Sequence, residues 1–358
     1  MSAPARPAAV QAEPVQAEPR RAVPPGDGQP FAGLLTAMNM PGSAAILLNG
    51  SRDPNSGLTV LLIPPDAGEP RLAVKIATTP AAAAVIEGEA RLLTGLERLR
   101  LPRVGGTLPR HQGAYDVDGL LAVASTVVPG VPMSTGYHSF RQTARPGRVR
   151  ADFAAAAGWL AGLHADSMAA RAPLCLLDGA GERILARWPD LECARTLAGQ
   201  AGAVGDRLAR ASTPRTIVHG DFWAGNLLVS DGAVSGVVDW AAGELSGEPL
   251  RDVARFALSY SLYLDRHTRP GRPVAGHPRL RADGWGAGIR YAIAGEHWYG
   301  RVVRDFVAGA LTRLGAPASL WRDVLLAGIA EVAVTADHPE FAAHHRDLLL
   351  RLTGEVRP

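Results

Sequence analysis

The chain has 358 residues, of which 47% are apolar, and a formal net charge of +3, so it is long and apolar enough for two modest lobes with buried cores. Its basic excess comes from arginines scattered among acids, with no aromatic-basic stripe, zinc knuckle or recognition-helix pattern, which argues against nucleic acid as a partner. Two cysteines, Cys175 and Cys193, exclude a disulfide framework and have no Cys or His neighbours at zinc-ligand spacing. No apolar run is long enough to span a bilayer and no secretory signal opens the sequence, so the expected location is cytoplasmic, with no membrane partner.

Residues 1–30 are rich in Pro and Ala, carry Gln-Ala-Glu-Pro twice, at 11–14 and 16–19, and have no periodic apolar face; this stretch is expected to be a disordered tail. From 31 to 125 the pattern is that of a small antiparallel lobe, with strands at Ala44–Leu48, Thr59–Ile63, Leu72–Ile76 and Leu120–Thr126 and one helix between the third and fourth. Asp53 to Gly57 and Pro64 to Pro70 are the turns. Gly42 and Ser43 precede the first strand, where backbone N–H groups can meet an anion, although a Gly-Ser pair is most often only a turn. Lys75, in Leu72-Ala-Val-Lys-Ile76, is the sole lysine of the chain. In the helix that follows, Val85, Glu89, Leu92, Leu93 and Leu96 recur at helical spacing and place Glu89 on the inward face; Glu87 points elsewhere. Ala122 to Gly130 then reads as a strand entering an extended corner, because residues before Pro avoid the helical region.

From 131 to 358 the pattern is mainly helical. Phe153, Ala157, Leu160, Leu163 and His164 mark an amphipathic helix in which His164 reads as a buried, hydrogen-bonded core residue. The dense part of the sequence is His219-Gly-Asp-Phe-Trp-Ala-Gly-Asn226, followed by two short apolar strands joined at Ser230-Asp231-Gly232 and by Val-Val-Asp239-Trp. The hairpin brings Asn226 and Asp239 together. Moving a phosphoryl group onto a hydroxyl needs a carboxylate to orient the hydroxyl and accept its proton, and oxygen ligands to hold Mg²⁺ on the phosphates; Asp221, Asn226 and Asp239 supply those types in that order.

These motifs resemble the aminoglycoside phosphotransferase and choline kinase family, small-molecule relatives of protein kinases whose catalytic segment reads H-G-D-x-x-x-x-N and then V-D-W or I-D-W. The resemblance implies an α+β, bilobal, protein-kinase-like fold: a small antiparallel β-sheet N-lobe with one main helix, a hinge at 126–130, and a larger, mainly helical C-lobe carrying a catalytic β-hairpin. It implies that Asp221 is the catalytic base and that Asn226 and Asp239 are Mg²⁺ ligands. His219 shapes the loop, and Asp252, in Gly247-Glu-Pro-Leu-Arg-Asp252, supports it from the start of a helix. Lys75 would reach the nucleotide phosphates with Glu89 as its ion-pair partner. Backbone groups from Thr126 to Val128 would meet the adenine edge, and the turn at Gly42 and Ser43 the phosphates. The donor is ATP or GTP, and the acceptor a hydroxylated small molecule, either an antibiotic such as an aminoglycoside or a metabolite. A non-catalytic nucleotide-binding module of the same fold is the alternative; a protein kinase fits less well, since there is little room for an activation loop between Asp239 and Asp252.

The motif specifies how phosphate moves and leaves the acceptor open. A polyamine acceptor needs carboxylates, and the candidates are Glu244, Glu296 and Asp305; Glu296 and Asp305 share the expected helix Tyr291–Phe306 with Trp298 and Tyr299, whose rings could grip a ring-bearing or amine-bearing alcohol. The Pro- and Gly-broken stretch from Arg266 to Arg281, with Arg269, Arg272, Arg279, His267 and His277, lies where this family inserts acceptor-binding elements. A basic loop there suits an acidic acceptor or closure over nucleotide phosphates, against the plainer reading of a solvated loop.

Overall fold

The computed structural model describes residues 31–48 and 57–354. The tail expected over 1–30 and most of the turn expected at 53–57 lie outside the described residues. The chain forms two compact units: the described residues of 1–84 with 114–124, and 85–113 with those from 125 onward.

The first unit contains α1 (Ala32–Ala37), β1 (Ala44–Leu48), β2 (Leu58–Ile63) and β3 (Leu72–Ile76). After α2 (Pro80–Glu97), whose residues from 85 belong to the second unit, come β4 (His111–Val117) and β5 (Leu120–Thr126). The strands form one five-stranded sheet in the order β1-β2-β3-β5-β4. Period-2 alternation puts Val60, Leu62, Val74, Ile76, Ala122 and Ala124 on one face, where they pack on Leu34, Leu35 and Met38 of α1 and its end. β4 is a strand the sequence reading did not contain.

Beyond α2, the second unit contains β6 (Val131–Pro132), α3 (Met133–Tyr137), α4 (Pro146–Ser167), β7 (Arg171–Pro173), α5 (Ala180–Arg187), α6 (Ala194–Ala209), β8 (Ser212–Pro214) and β9 (Thr216–Val218). A hairpin of β10 (Leu227–Ser230) and β11 (Ala233–Val237) and a short β12 (Glu244–Gly247) follow, then α7 (Leu250–Leu262), α8 (Ala287–Ala294), α9 (Trp298–Arg313), α10 (Trp321–Thr335) and α11 (Pro339–Gly354). The hairpin turns at Asp231 and Gly232, both with positive φ (51° and 78°), as a two-residue turn between twisted strands requires. β10 also pairs with β6, and β12 pairs with β9. The core joins α4, α7, α9 and α10 around Phe153, Leu160, Phe256, Val303 and Ile329. Among the described residues no helix is long and apolar enough to cross a membrane.

Two local expectations need correction. The buried stripe of α2 runs through Ala82, Ile86, Glu89, Leu93 and Leu96, while Val85 is 37% exposed; Glu89 is inward as expected, but Ile86, not Val85, is its apolar neighbour one turn earlier. The helix expected over Tyr291–Phe306 is two helices, because Gly295 takes a left-handed conformation (φ 74°) that caps α8, and α9 starts afresh at Trp298.

Candidate active site

The loop from His219 to Asn226 leaves β9 and is held from below by α7. Asp252, in the first turn of α7 and 1% exposed, accepts the N–H of His219 at 2.7 Å and of Gly220 at 2.8 Å, one with each carboxylate oxygen. Burial pushes the Asp252 carboxyl above the ordinary range, against the lowering effect of His219 and of the two N–H donors. His219 is itself fully buried. Its Nε2 lies 2.9 Å from the carbonyl of Val238, which can only accept, and its Nδ1 lies 3.2 Å from the N–H of Asp221, which can only donate. The ring therefore carries its proton on Nε2 and ties the loop to the segment that precedes Asp239.

Gly220 is required at its position. Its φ is 82°, and a Cβ there would sit 2.1 Å from the carbonyl oxygen of Ala242. This close approach lets the loop turn sharply enough to present Asp221.

Asp221 and Asn226 meet. The Nδ2 of Asn226 donates to the backbone oxygen of Asp221 at 2.9 Å and to its Oδ2 at 3.2 Å. Because both partners are acceptors, the amide orientation follows from the network and Oδ1 faces away, accepting no hydrogen bond from any described residue. The other Asp221 oxygen, Oδ1, takes Arg255 at 2.8 Å from Nε and 2.7 Å from Nη2. Arg255 was absent from the sequence reading. The signal was present: Arg255 stands three residues after Asp252, so both occupy one face of α7, and that face clamps the loop by its backbone at one point and its key carboxylate at the next.

Asp239 follows β11 with a φ of 67°, a left-handed conformation that among L residues Asp and Asn adopt most readily. Its neighbours fix it: the N–H of Val238 donates to the carbonyl of Asn226 at 3.0 Å, and the N–H of Trp240 donates to Oε1 of Glu89 at 2.9 Å. Trp240, fully buried, packs its ring edge-on against His219 at 4.6 Å. Glu89 thus holds the backbone just beyond Asp239, a role the sequence reading did not assign to it. The amide oxygen of Asn226 and the carboxylate of Asp239, on segments tied by the Val238–Asn226 backbone hydrogen bond, are oxygen donors of the kind that suits a hard cation such as Mg²⁺. No group of three or more His, Cys, Asp or Glu able to hold a metal occurs among the described residues.

Lys75 lies on β3 opposite Thr59 of β2, between buried Val74 and Ile76 and hence on the other face of the sheet from the first unit's core. Gly42, φ 77°, forms a turn in which the N–H of Ser43 donates to Met40; Ser43 is 1% exposed and its hydroxyl has no hydrogen-bond partner. The N–H of Thr126 is committed to the carbonyl of Arg110 at 2.9 Å, whereas Val128 makes no backbone hydrogen bond to a described residue.

Of the acceptor candidates, Trp298 and Tyr299 meet edge to face at 5.7 Å. Glu244 pairs with Arg251 at 2.5 Å and Asp305 with Arg304 at 3.1 Å. Tyr299 is fully buried with its hydroxyl 2.9 Å from that of Ser261, Trp298 stacks on His277, and Glu296 is exposed. None of the five lines the cavity of about 290 Å³ that opens between the segment after α3 and the loop after α7. His164 is a core residue as expected, 3% exposed, but neither ring nitrogen has a hydrogen-bond partner, and burial lowers its pKa to about 3.

The profile of the phosphotransferase enzyme family APH matches residues 52–290. Among solved structures, the streptomycin–ATP–APH(2″)-IIa ternary complex matches at 14% identity over 91% of this chain and 97% of that one, with a TM-score of 0.52. A thermostable mutant of aminoglycoside phosphotransferase APH(4)-Ia in ternary complex with AMP-PNP and hygromycin B matches at 14% identity over 92% of this chain and all of that one, with a TM-score of 0.53. At such identity the likeness is one of fold, and the fold is the α+β kinase-like one. No curated protein sequence matches the chain.

Proposed function

The chain belongs to the phosphotransferase enzyme family, and from that premise we propose that it moves the γ-phosphoryl group of ATP or GTP onto a hydroxyl of a small molecule. The observation that carries this reading is the treatment of Asp221: one oxygen is held by Arg255, the other by Asn226, and the backbone beneath it is fixed by Asp252. A carboxylate so restrained is prepared to orient an incoming hydroxyl for in-line attack and to take its proton late, the small chemical share that a loose phosphoryl-transfer transition state leaves to a base. Asn226, through Oδ1, and Asp239 would hold Mg²⁺. Bound there, such an ion would supply positive charge to offset that developing on the transferred group. Lys75 would meet the donor phosphates as a compact cation, a contact an arginine fork reproduces poorly. Relatives of this fold crystallised with ATP and AMP-PNP support a nucleotide donor.

The test is a transfer assay with ATP and Mg²⁺ against a panel of hydroxylated antibiotics, nucleosides, sugars and amino alcohols, read by product mass. Asp221→Ala is expected to lower turnover by about 10²-fold or more while nucleotide binding, measured by calorimetry, survives. Near-normal turnover in that variant refutes the assignment.

A further inference from the structure

The cavity of about 290 Å³ in the second unit is close to the lower end, about 300 Å³, of small-molecule sites. Its lining includes Arg141 from the segment after α3 and Arg269 and Arg272 from the loop after α7, and contains no Asp or Glu. Arg266, just outside, points its Nη1 to 3.0 Å from the imidazole of His138, another lining residue. Among the described residues none of these four arginines has a carboxylate within ion-pair distance, although Arg255 and Arg281 do. His138 adds no compensation: burial, then Arg266 and His267, lower its pKa to about 4, so it is neutral at physiological pH. Unpaired positive charge around a concave surface raises the local concentration of anions. Phe140, on the rim, is 78% exposed with the Arg141 guanidinium 5.1 Å from its ring centre, which leaves a flat apolar surface for a ligand to cover.

Two helices connect this cavity to Asp221. α7 carries Arg255, the partner of Asp221, and is followed at once by Tyr263, which lines the cavity and lies within electrostatic reach of Arg255. α3 begins where the N–H of Ser134 donates to Ala224 of the catalytic loop at 2.9 Å, and ends at Tyr137 in the cavity wall. The eight residues from Arg255 to Tyr263 rise about 12 Å, so Tyr263 in the cavity wall stands a little over two helical turns from Arg255, the partner of the candidate base.

We propose that this cavity binds an anionic group, carboxylate or phosphate, of the acceptor, so that the enzyme acts on an acidic alcohol and not on a polycationic aminoglycoside. This rests on the phosphotransferase reading of Asp221 and specifies its acceptor: a molecule whose reacting hydroxyl and anionic group are separated by on the order of 10 Å, with an apolar face for Phe140. The donor's own phosphates are the other source of anion, and the experiment separates the two.

Full-length protein is titrated by calorimetry with citrate, inorganic phosphate and kanamycin at constant ionic strength, with and without saturating ADP and Mg²⁺. The same titrations are run on Arg269→Ala/Arg272→Ala and on Arg269→Gln/Arg272→Gln, each checked for an unchanged melting temperature. The expected result is saturable anion binding that persists with ADP present and weakens about tenfold or more in both double variants, as removal of charge partners from a recognition site does. Asp221→Ala keeps that binding, so failure of the phosphotransfer reading and failure of this one are seen separately. Absence of saturable anion binding overturns the proposal. So does unchanged affinity in the double variants, loss of binding when ADP is present, or kanamycin binding more tightly than either anion.

Discussion

At the scale of single residues, Arg255 is the side chain whose removal discriminates between a site that merely contains the right groups and one that holds them. Its Nε and Nη2 both reach Oδ1 of Asp221, and the guanidinium fork fixes that oxygen in direction as well as distance. Arg255→Ala leaves the other oxygen on Asn226 and frees the carboxylate to rotate about the remaining bond. Turnover is expected to fall about 10- to 100-fold, the cost of misplacing a reacting group by about an ångström, with the nucleotide KM little changed. Arg255→Lys, which restores charge but offers one point of contact, recovers part of the rate. A merely structural role would lower the melting temperature without this split between kcat and KM. The side chains that the motif carried, Asp221, Asn226 and Asp239, were legible as candidates because the motif itself sets their order and spacing along one loop and one hairpin. Arg255 was not, because its role depends on which face of α7 meets that loop. Glu89 was legible as an inward carboxylate, yet its bond to the N–H of Trp240 joins residues 151 apart in sequence and leaves no local trace.

At the scale of elements, the loop from His219 to Asn226 depends on a backbone approach as much as on side chains. Gly220 brings its Cα against the carbonyl of Ala242, and Asp252 takes the N–H on either side of the turn. Gly220→Ala forces both a left-handed alanine and a contact far inside van der Waals distance, so the loop must move off Asp252. We expect a loss of roughly 2–4 kcal/mol of stability, read as a lower denaturant midpoint with an unchanged m-value, and loss of transfer activity even in the fraction that stays folded. A variant of wild-type stability and rate would mean that the loop tolerates a different path. The elements themselves were readable where local chemistry determines them. The Asp231-Gly232 turn announced the β10–β11 hairpin, and short apolar runs bounded by turn residues gave β2 and β3. β4 escaped because it is an edge strand with no fully buried side chain between His111 and Val117, so it lacks the apolar alternation that marks a half-buried strand. The break between α8 and α9 escaped because an isolated glycine inside a helical pattern is often tolerated, and only the left-handed φ of Gly295 reveals that the chain stops there.

At the scale of the whole molecule, the second unit buries three histidines that have little to bond with. His164, His277 and His345 are 3%, 2% and 3% exposed, and burial lowers their pKa values to about 3, about 4 and about 3. Each is neutral in the fold and regains its ordinary value near 6.5 on unfolding. Below that value the unfolded chain binds more protons than the folded one, so stability falls as pH drops from about 6.5 towards the folded values, and it is fully retained above. Each such ring costs about 2 kcal/mol at pH 5, a large part of the 5–15 kcal/mol that holds a domain together. Buried carboxyls work in the opposite sense: burial raises Asp252, Glu248 and Glu331, so they are more easily protonated in the fold and offset part of the loss. A difference between two proteins removes that background. His164 makes no hydrogen bond in its pocket, so His164→Phe removes a titrating group at the cost of no bond and little volume. Thermal unfolding at pH 7.5 and pH 5 should show a clear drop in wild type and a smaller one in the variant, with the two curves converging above pH 6.5. Equal slopes in both proteins would show that His164 takes up its proton in the folded state, and that its pocket is reached by water.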